Sequence, residues 1–182
     1  MKRIAAFLLG LLFSTPSFAA LKPGDQAPDF TAAASLGGKE FQFSLAEALK
    51  KGPVVLYFFP KAFTSGCTAE AHEFAEASAE FTAAGATLLG MSSDNIDTLH
   101  KFGLQECSSK FPVAADPDLK VIRAYDAALV RVGNLGLADR ISYVIGSDGK
   151  VVYAYAASDY SKHVENTLAA VKRLRKASAQ PQ

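Results

Sequence analysis

Cys67 is the residue around which this chain can build chemistry. It follows Val54-Val55-Leu56-Tyr57-Phe58-Phe59, an unbroken β-branched and aromatic run that reads as a strand buried on both faces. Pro60 ends the run. Thr64, Ser65 and Gly66 are residue types that open helices, and Ala69 to Ala84 is rich enough in Ala, Glu and Phe to continue one. Cys67 therefore falls in a first helical turn, where backbone N–H groups lack intrahelical partners and the macrodipole places partial positive charge. Such a place favours the thiolate, the nucleophilic form of the side chain. Thr64, three residues earlier, is placed to turn its hydroxyl into the same pocket and donate a hydrogen bond to the sulfur. A small buried hydrophobe is the plainer reading of a cysteine. The combination of strand, proline turn, hydroxyl and helix start favours the chemical one.

The scaffold that must position this thiol is one domain. The 182 residues are 49% hydrophobic and 20% charged, an ordinary globular balance with enough chain to bury a core. Residues 1–19 stand apart: Lys2-Arg3 is a basic start, Ile4 to Phe13 an apolar stretch too short to span a bilayer, and Ser17-Phe18-Ala19 a small-x-small cleavage signal. The expectation is a signal peptide cleaved after Ala19, a single domain over 20–182, and a periplasmic or secreted product; a retained N-terminal anchor is the alternative. Losing Lys2 and Arg3 reduces 19 basic residues to 17 against 18 acidic ones, a formal charge of −1. A near-neutral chain offers no electrostatic case for nucleic acid or an anionic membrane as partner. In an oxidising compartment two cysteines are expected to pair at least part of the time, and the lack of a Cys-x-x-Cys argues against an ordinary disulfide exchanger.

Pro60-x-x-x-Thr64-x-x-Cys67 resembles the peroxidatic motif of the peroxiredoxins, and Gly66-Cys67-Thr68-x-Glu70 resembles their bacterioferritin comigratory protein, or Q-type, branch. Two further stretches look similar to that family: Gly24-Asp25-x-Ala27-Pro28-Asp29-Phe30 near the start, and Phe111-Pro112-Val113-Ala114-Ala115-Asp116-Pro117-Asp118. The resemblance runs from about Leu21 to the last helix. It implies an α/β thioredoxin-like fold, a mixed central sheet flanked by helices. It also implies a thiol peroxidase reducing hydrogen peroxide or organic hydroperoxides, with no cofactor and no metal. Arg140, before Ile141-Ser142-Tyr143, matches the family's arginine that reaches the cysteine and hydrogen-bonds the peroxide. Pro60 would shape and shield the pocket, and Glu70 would position the loop or Arg140.

Elsewhere the pattern gives a short strand over Lys39–Phe43 and a helix Leu45–Lys51 capped by Ser44 and closed by Gly52. A strand Ala86–Met91 precedes a helix from Asn95 to about Ser109 with Asp94 as its cap. Ile96, Leu99, Gly103 and Cys107 form its inward stripe. Cys107 either fills core or resolves oxidised Cys67. The branch often places a resolving cysteine five residues after the first, where this chain has His72; a position on the following helix is the branch's other arrangement, which Cys107 resembles. Phe111–Ala115 reads as a strand, Asp116-Pro117 opens a helix through Ala124, and Val130–Ala138 reads as loop. Arg140–Ile145, Asp148-Gly149 and Val151–Ala156 make a hairpin. Ser161–Lys176 is a last helix with Val164, Leu168, Val171 and Leu174 on its core face. His72, His100 and His163 lie on three separate helices without metal-ligand spacing.

The expected partners are a peroxide and an external dithiol reductant of thioredoxin or glutaredoxin type, acting on a monomer or weak homodimer. Two rivals remain at this level: a secreted disulfide oxidoreductase on the same fold, and a non-catalytic thiol redox sensor.

Overall fold

The computed structural model describes residues 20–129 and 136–178. In chain order the elements are β1 (Thr31–Leu36), β2 (Lys39–Ser44), α1 (Leu45–Leu49), β3 (Val54–Phe58), α2 (Ser65–Ala83), β4 (Thr87–Ser92) and α3 (Ile96–Gln105). They are followed by β5 (Val113–Ala115), α4 (Lys120–Ala124), β6 (Ile141–Ile145), β7 (Val151–Ala156), a single 3-10 turn (Tyr160–Lys162) and α5 (His163–Ser178). The expected signal peptide, most of the expected loop at Val130–Ala138, and the last four residues lie outside the described residues.

The seven strands form one sheet in the order β2-β1-β5-β4-β3-β6-β7, with β3, β4 and β5 parallel and the other pairings antiparallel. This is the expected mixed sheet. β3 lies inside it and is buried along its whole length. Successive side chains alternate between faces: Val54, Leu56 and Phe58 join the core under α1 and α4, whereas Val55, Tyr57 and Phe59 join the core under α2, α3 and α5. Both cysteines belong to the second core.

β1 is absent from the sequence reading. Its Thr-Ala-Ala-Ala-Ser-Leu run has little β-branched or aromatic content, and it becomes a strand because Gly37 and Gly38, at φ 56° and 79°, make a tight turn onto β2. Helix α3 ends at Gln105, earlier than expected, so Cys107 sits just beyond it in a turn, with Ser108 and Ser109 at φ 49° and 55°. Its cap is Asn95, whose side chain accepts from the Thr98 N–H; the expected cap, Asp94, is used otherwise. α5 buries His163, Thr167, Ala170 and Val171, so its core face is rotated from the one expected: Val164, Leu168 and Leu174 are only half-buried.

Candidate active site

Local sequence brings Cys67 to its place. β3 ends at Phe58, Pro60 turns the chain, and α2 begins at Ser65 with Thr64 as its extended N-cap, so Cys67 is the third residue of the helix and is 2% exposed. The connecting loop is anchored from β4. Asp94 accepts hydrogen bonds from the Ala62 N–H at 2.7 Å and the Ser92 hydroxyl at 2.8 Å, and pairs with the Lys61 ammonium at 3.0 Å. This explains why Asp94 does not cap α3: its carboxylate is occupied by the loop. Phe63 adopts a left-handed φ of 64° and sets its ring edge-on to Phe102.

Thr64 departs from expectation. Its hydroxyl donates to the Lys61 carbonyl at 3.0 Å rather than to the sulfur, so it closes the loop and makes no side-chain cap on α2. Its oxygen keeps lone pairs with which to accept. Pro60 is half-buried at the end of β3.

Arg140 is brought to the thiol by sheet register. Phe58 is paired with Ile141, so the residue preceding β6 lies beside the loop that follows β3. Arg140 is 6% exposed and each guanidinium nitrogen has a partner: Nη2 donates to Cys67 Sγ at 3.4 Å, Nε donates to the Ser158 carbonyl at 3.0 Å, and Nη1 pairs with Glu70 Oε2. Glu70, one turn after Cys67 on α2, is wholly buried, and burial pushes its carboxyl up to about 8 against the pull of Arg140. Its second oxygen has no hydrogen-bond partner among the described residues and lies 3.8 Å from His163 Nδ1. His163 and Ser142 are thus site neighbours that sequence reading missed. Only a buried histidine on a helix otherwise facing core could have signalled them.

Cys107 is fully buried on the same side of the sheet, and burial holds its thiol well above the ordinary range. The turn that carries it is tied to α2 by a 2.8 Å contact between His72 Nε2 and Glu106 Oε2. His72 therefore does more than stand where the branch often has a cysteine. Tyr57 packs beneath, its ring stacked on Phe74 at 4.2 Å, with a hydroxyl that finds no partner among the described residues. The pocket between β1 and α4, lined by Thr31, Asp116, Lys120 and Tyr125 among others, includes neither cysteine. A shielded thiol at a helix start with a guanidinium against it is suited to nucleophilic attack on a substrate that places negative charge on a departing oxygen.

Residues 23–154 match the AhpC/TSA family model. The chain belongs to the peroxiredoxins. The peroxiredoxin Bcp of Xanthomonas campestris is 33% identical over 125 residues, covering 65% of this chain and 76% of that protein. Among solved structures, the peroxidoxin BcpB of Mycobacterium tuberculosis superposes with a TM-score of 0.78 at 28% identity, covering 85% of this chain and 98% of that one. A Xanthomonas campestris peroxiredoxin Q gives 0.69 at 30% identity, covering 79% and 90%. Membership makes this peroxiredoxin a thiol-dependent peroxidase on a thioredoxin fold, with a peroxide as substrate and a thioredoxin-like reductant.

Proposed function

We propose that Cys67 is the peroxidatic thiol of this enzyme and that Arg140, Thr64, Pro60 and Glu70 build its site. The observation that carries the reading is the Arg140 Nη2 to Cys67 Sγ contact of 3.4 Å at the buried start of α2. The Cys67 thiolate attacks the terminal peroxide oxygen; the S–O bond forms as the O–O bond breaks. The departing oxygen takes up a proton, leaving Cys67 sulfenic acid and water or an alcohol. Arg140 stabilises charge on the breaking bond, and the Thr64 oxygen accepts from the peroxide O–H. Pro60 shields the pocket, and Glu70 holds the far end of the guanidinium.

Cys107 then attacks the sulfenic acid, forming a Cys67–Cys107 disulfide and releasing water, and an external dithiol reduces that disulfide by exchange. Disulfide geometry needs Cα atoms within about 7 Å, so the start of α2 and the turn after α3 open for this step. The buried Cys107 thiol stays protonated until they do. The protein acts outside the cytoplasm after cleavage at Ala19, as one domain over 20–182. Stopped-flow peroxide consumption by wild type and Cys67→Ser tests the first assignment: rapid loss of peroxide must vanish with the thiol. Non-reducing mass spectrometry of peroxide-treated protein tests the second, and absence of the Cys67–Cys107 linkage would leave a one-cysteine enzyme.

A further inference from the structure

Behind Arg140 lies a buried pair, Glu70 and His163, whose protons the reaction described above does not use. His163 is completely buried; its Nε2 lies 3.0 Å from the Ala157 carbonyl, and its Nδ1 lies 2.8 Å from Ser142 Oγ and 3.8 Å from the orphaned Oε1 of Glu70. A carbonyl only accepts, so Nε2 carries a hydrogen. A neutral ring then presents the Nδ1 lone pair to the Ser142 hydroxyl and, beyond it, to Glu70. A lone pair facing a bare carboxylate oxygen in a buried space is unfavourable unless one of the two groups holds a proton.

The charges around them point the same way. Arg140 faces Glu70 from the start of β6, Tyr57 lies within electrostatic reach from β3, and Glu73 adds a second negative charge from α2 itself. Arg140, Asp139 and Asp159 act on His163, and the Tyr155 ring stands edge-on at 4.8 Å. Burial raises Glu70 to about 8 and lowers His163, so the neutral acid beside the neutral imidazole is the favoured arrangement. Arg140 is thus one buried cation between two potential anions, the Cys67 thiolate and the Glu70 carboxylate, and the charge of one opposes ionisation of the other.

We propose that Glu70 and His163 hold one proton between them while Cys67 is a thiolate, and that the pair gives up this proton as the thiolate is consumed. The inference rests on the peroxidase reading. With hydrogen peroxide the balance is Cys67–S⁻ plus HOOH plus the pair's proton, giving Cys67–SOH and water. The pair becomes an anion as the sulfur becomes neutral, so Arg140 exchanges one counter-charge for the other and the net charge of the buried site is unchanged. Glu70 and His163 are positioning residues that act through Arg140, and the proton they release matches the one taken up by the departing oxygen.

The test counts protons. A Cys107→Ser chain, which stops at the sulfenic acid, is mixed with one equivalent of hydrogen peroxide in weak buffer at neutral pH with an indicator dye. Thiolate absorbance in the ultraviolet reports Cys67 in the same experiment. The expected result is loss of thiolate absorbance with no net proton uptake from solvent. In the same background Glu70→Gln, which has no proton to give, takes up one proton per thiolate lost, and His163→Gln shifts the count in that direction. Should the Glu70 variant fail to fold, infrared difference spectra of the Glu70-containing chain substitute for it: a protonated carboxylic acid band must disappear on oxidation. Normal peroxide consumption with uptake of one proton, or a carboxylic acid band that survives oxidation, overturns the inference alone. Failure to consume peroxide overturns the peroxidase reading and the inference with it.

Discussion

Replacing Arg140 by methionine keeps much of the buried length of the side chain and removes the cation beside the sulfur. At the observed 3.4 Å, opposite unit charges attract by roughly 5 kcal/mol in surroundings of effective dielectric about 20. The guanidinium also serves Glu70 and the Ser158 carbonyl, so the share left for the thiolate is that of one hydrogen bond to a charged group, about 1.5–3 kcal/mol. That loss corresponds to a factor of roughly 10 to 150 in the interaction of the guanidinium with the sulfur. In the proposed reaction Arg140 also stabilises the departing oxygen, and removing one such donor costs about 10²–10³ in rate. The second-order rate constant with hydrogen peroxide should therefore fall by about 10³–10⁵. Glu70 loses its partner in the same variant but can stay protonated, and an Arg140→Met/Glu70→Gln double variant controls for any residual unpaired charge. Stopped-flow peroxide consumption gives the rate, and the pH dependence of Cys67 alkylation isolates the thiolate share. A variant within tenfold of wild type, with an unchanged alkylation profile, would refute the electrostatic argument for this site.

Three further outcomes follow from the same geometry. Gly90 in β4 lies under Tyr57, where an added Cβ would stand 2.8 Å from the ring and hydroxyl, so Gly90→Ala should lower stability by about 1–3 kcal/mol in denaturant unfolding; an unchanged midpoint would contradict that packing. Asp94→Ala removes the acceptor that ties down Lys61, Ala62 and Ser92; it should cost about 2–3 kcal/mol and slow peroxide consumption, whereas full activity would show that the loop holds its shape without this anchor. Glu70, raised to about 8 from an ordinary 4.5, binds a proton in the native state that the unfolded chain releases, so its contribution is complete below about pH 4.5 and is lost as pH rises to about 8, at up to about 1.4 kcal/mol per pH unit. His163, lowered by burial, has the opposite sign and weakens the fold as pH drops below about 6.5. Unfolding of wild type and Glu70→Gln at pH 6 and pH 9 checks this, and an equal stability difference at both would rule it out.

The cysteine end of the site was legible because its determinants are local: a strand, a turn and a helix start within some fifteen residues, each with its own composition signal. The hairpin of β6 and β7 was legible for the same reason. Arg140 needed the resemblance, since the contact depends on the Phe58–Ile141 pairing between strands far apart in sequence. Asp94 was misread because an aspartate before a helix is a good cap by propensity, and only the folded loop shows that its carboxylate has stronger claims on it. His163 was hidden by an α5 stripe drawn through Val164 and Leu168, when the deeper face carries a histidine bonded to Ser142 and a threonine whose hydroxyl donates to the carbonyl of the preceding helical turn. The Ala-rich β1 had no signal of its own and takes its conformation from its neighbours.

The two serines following Cys107 have backbone angles that L-residues with a Cβ adopt only at a cost, about 1–2 kcal/mol each. That cost is recovered when the segment lets go of the body of the protein. A native conformation held uphill in this way offsets about that much of the work that the opening proposed for Cys107 requires, without any loosening of the sheet beneath it.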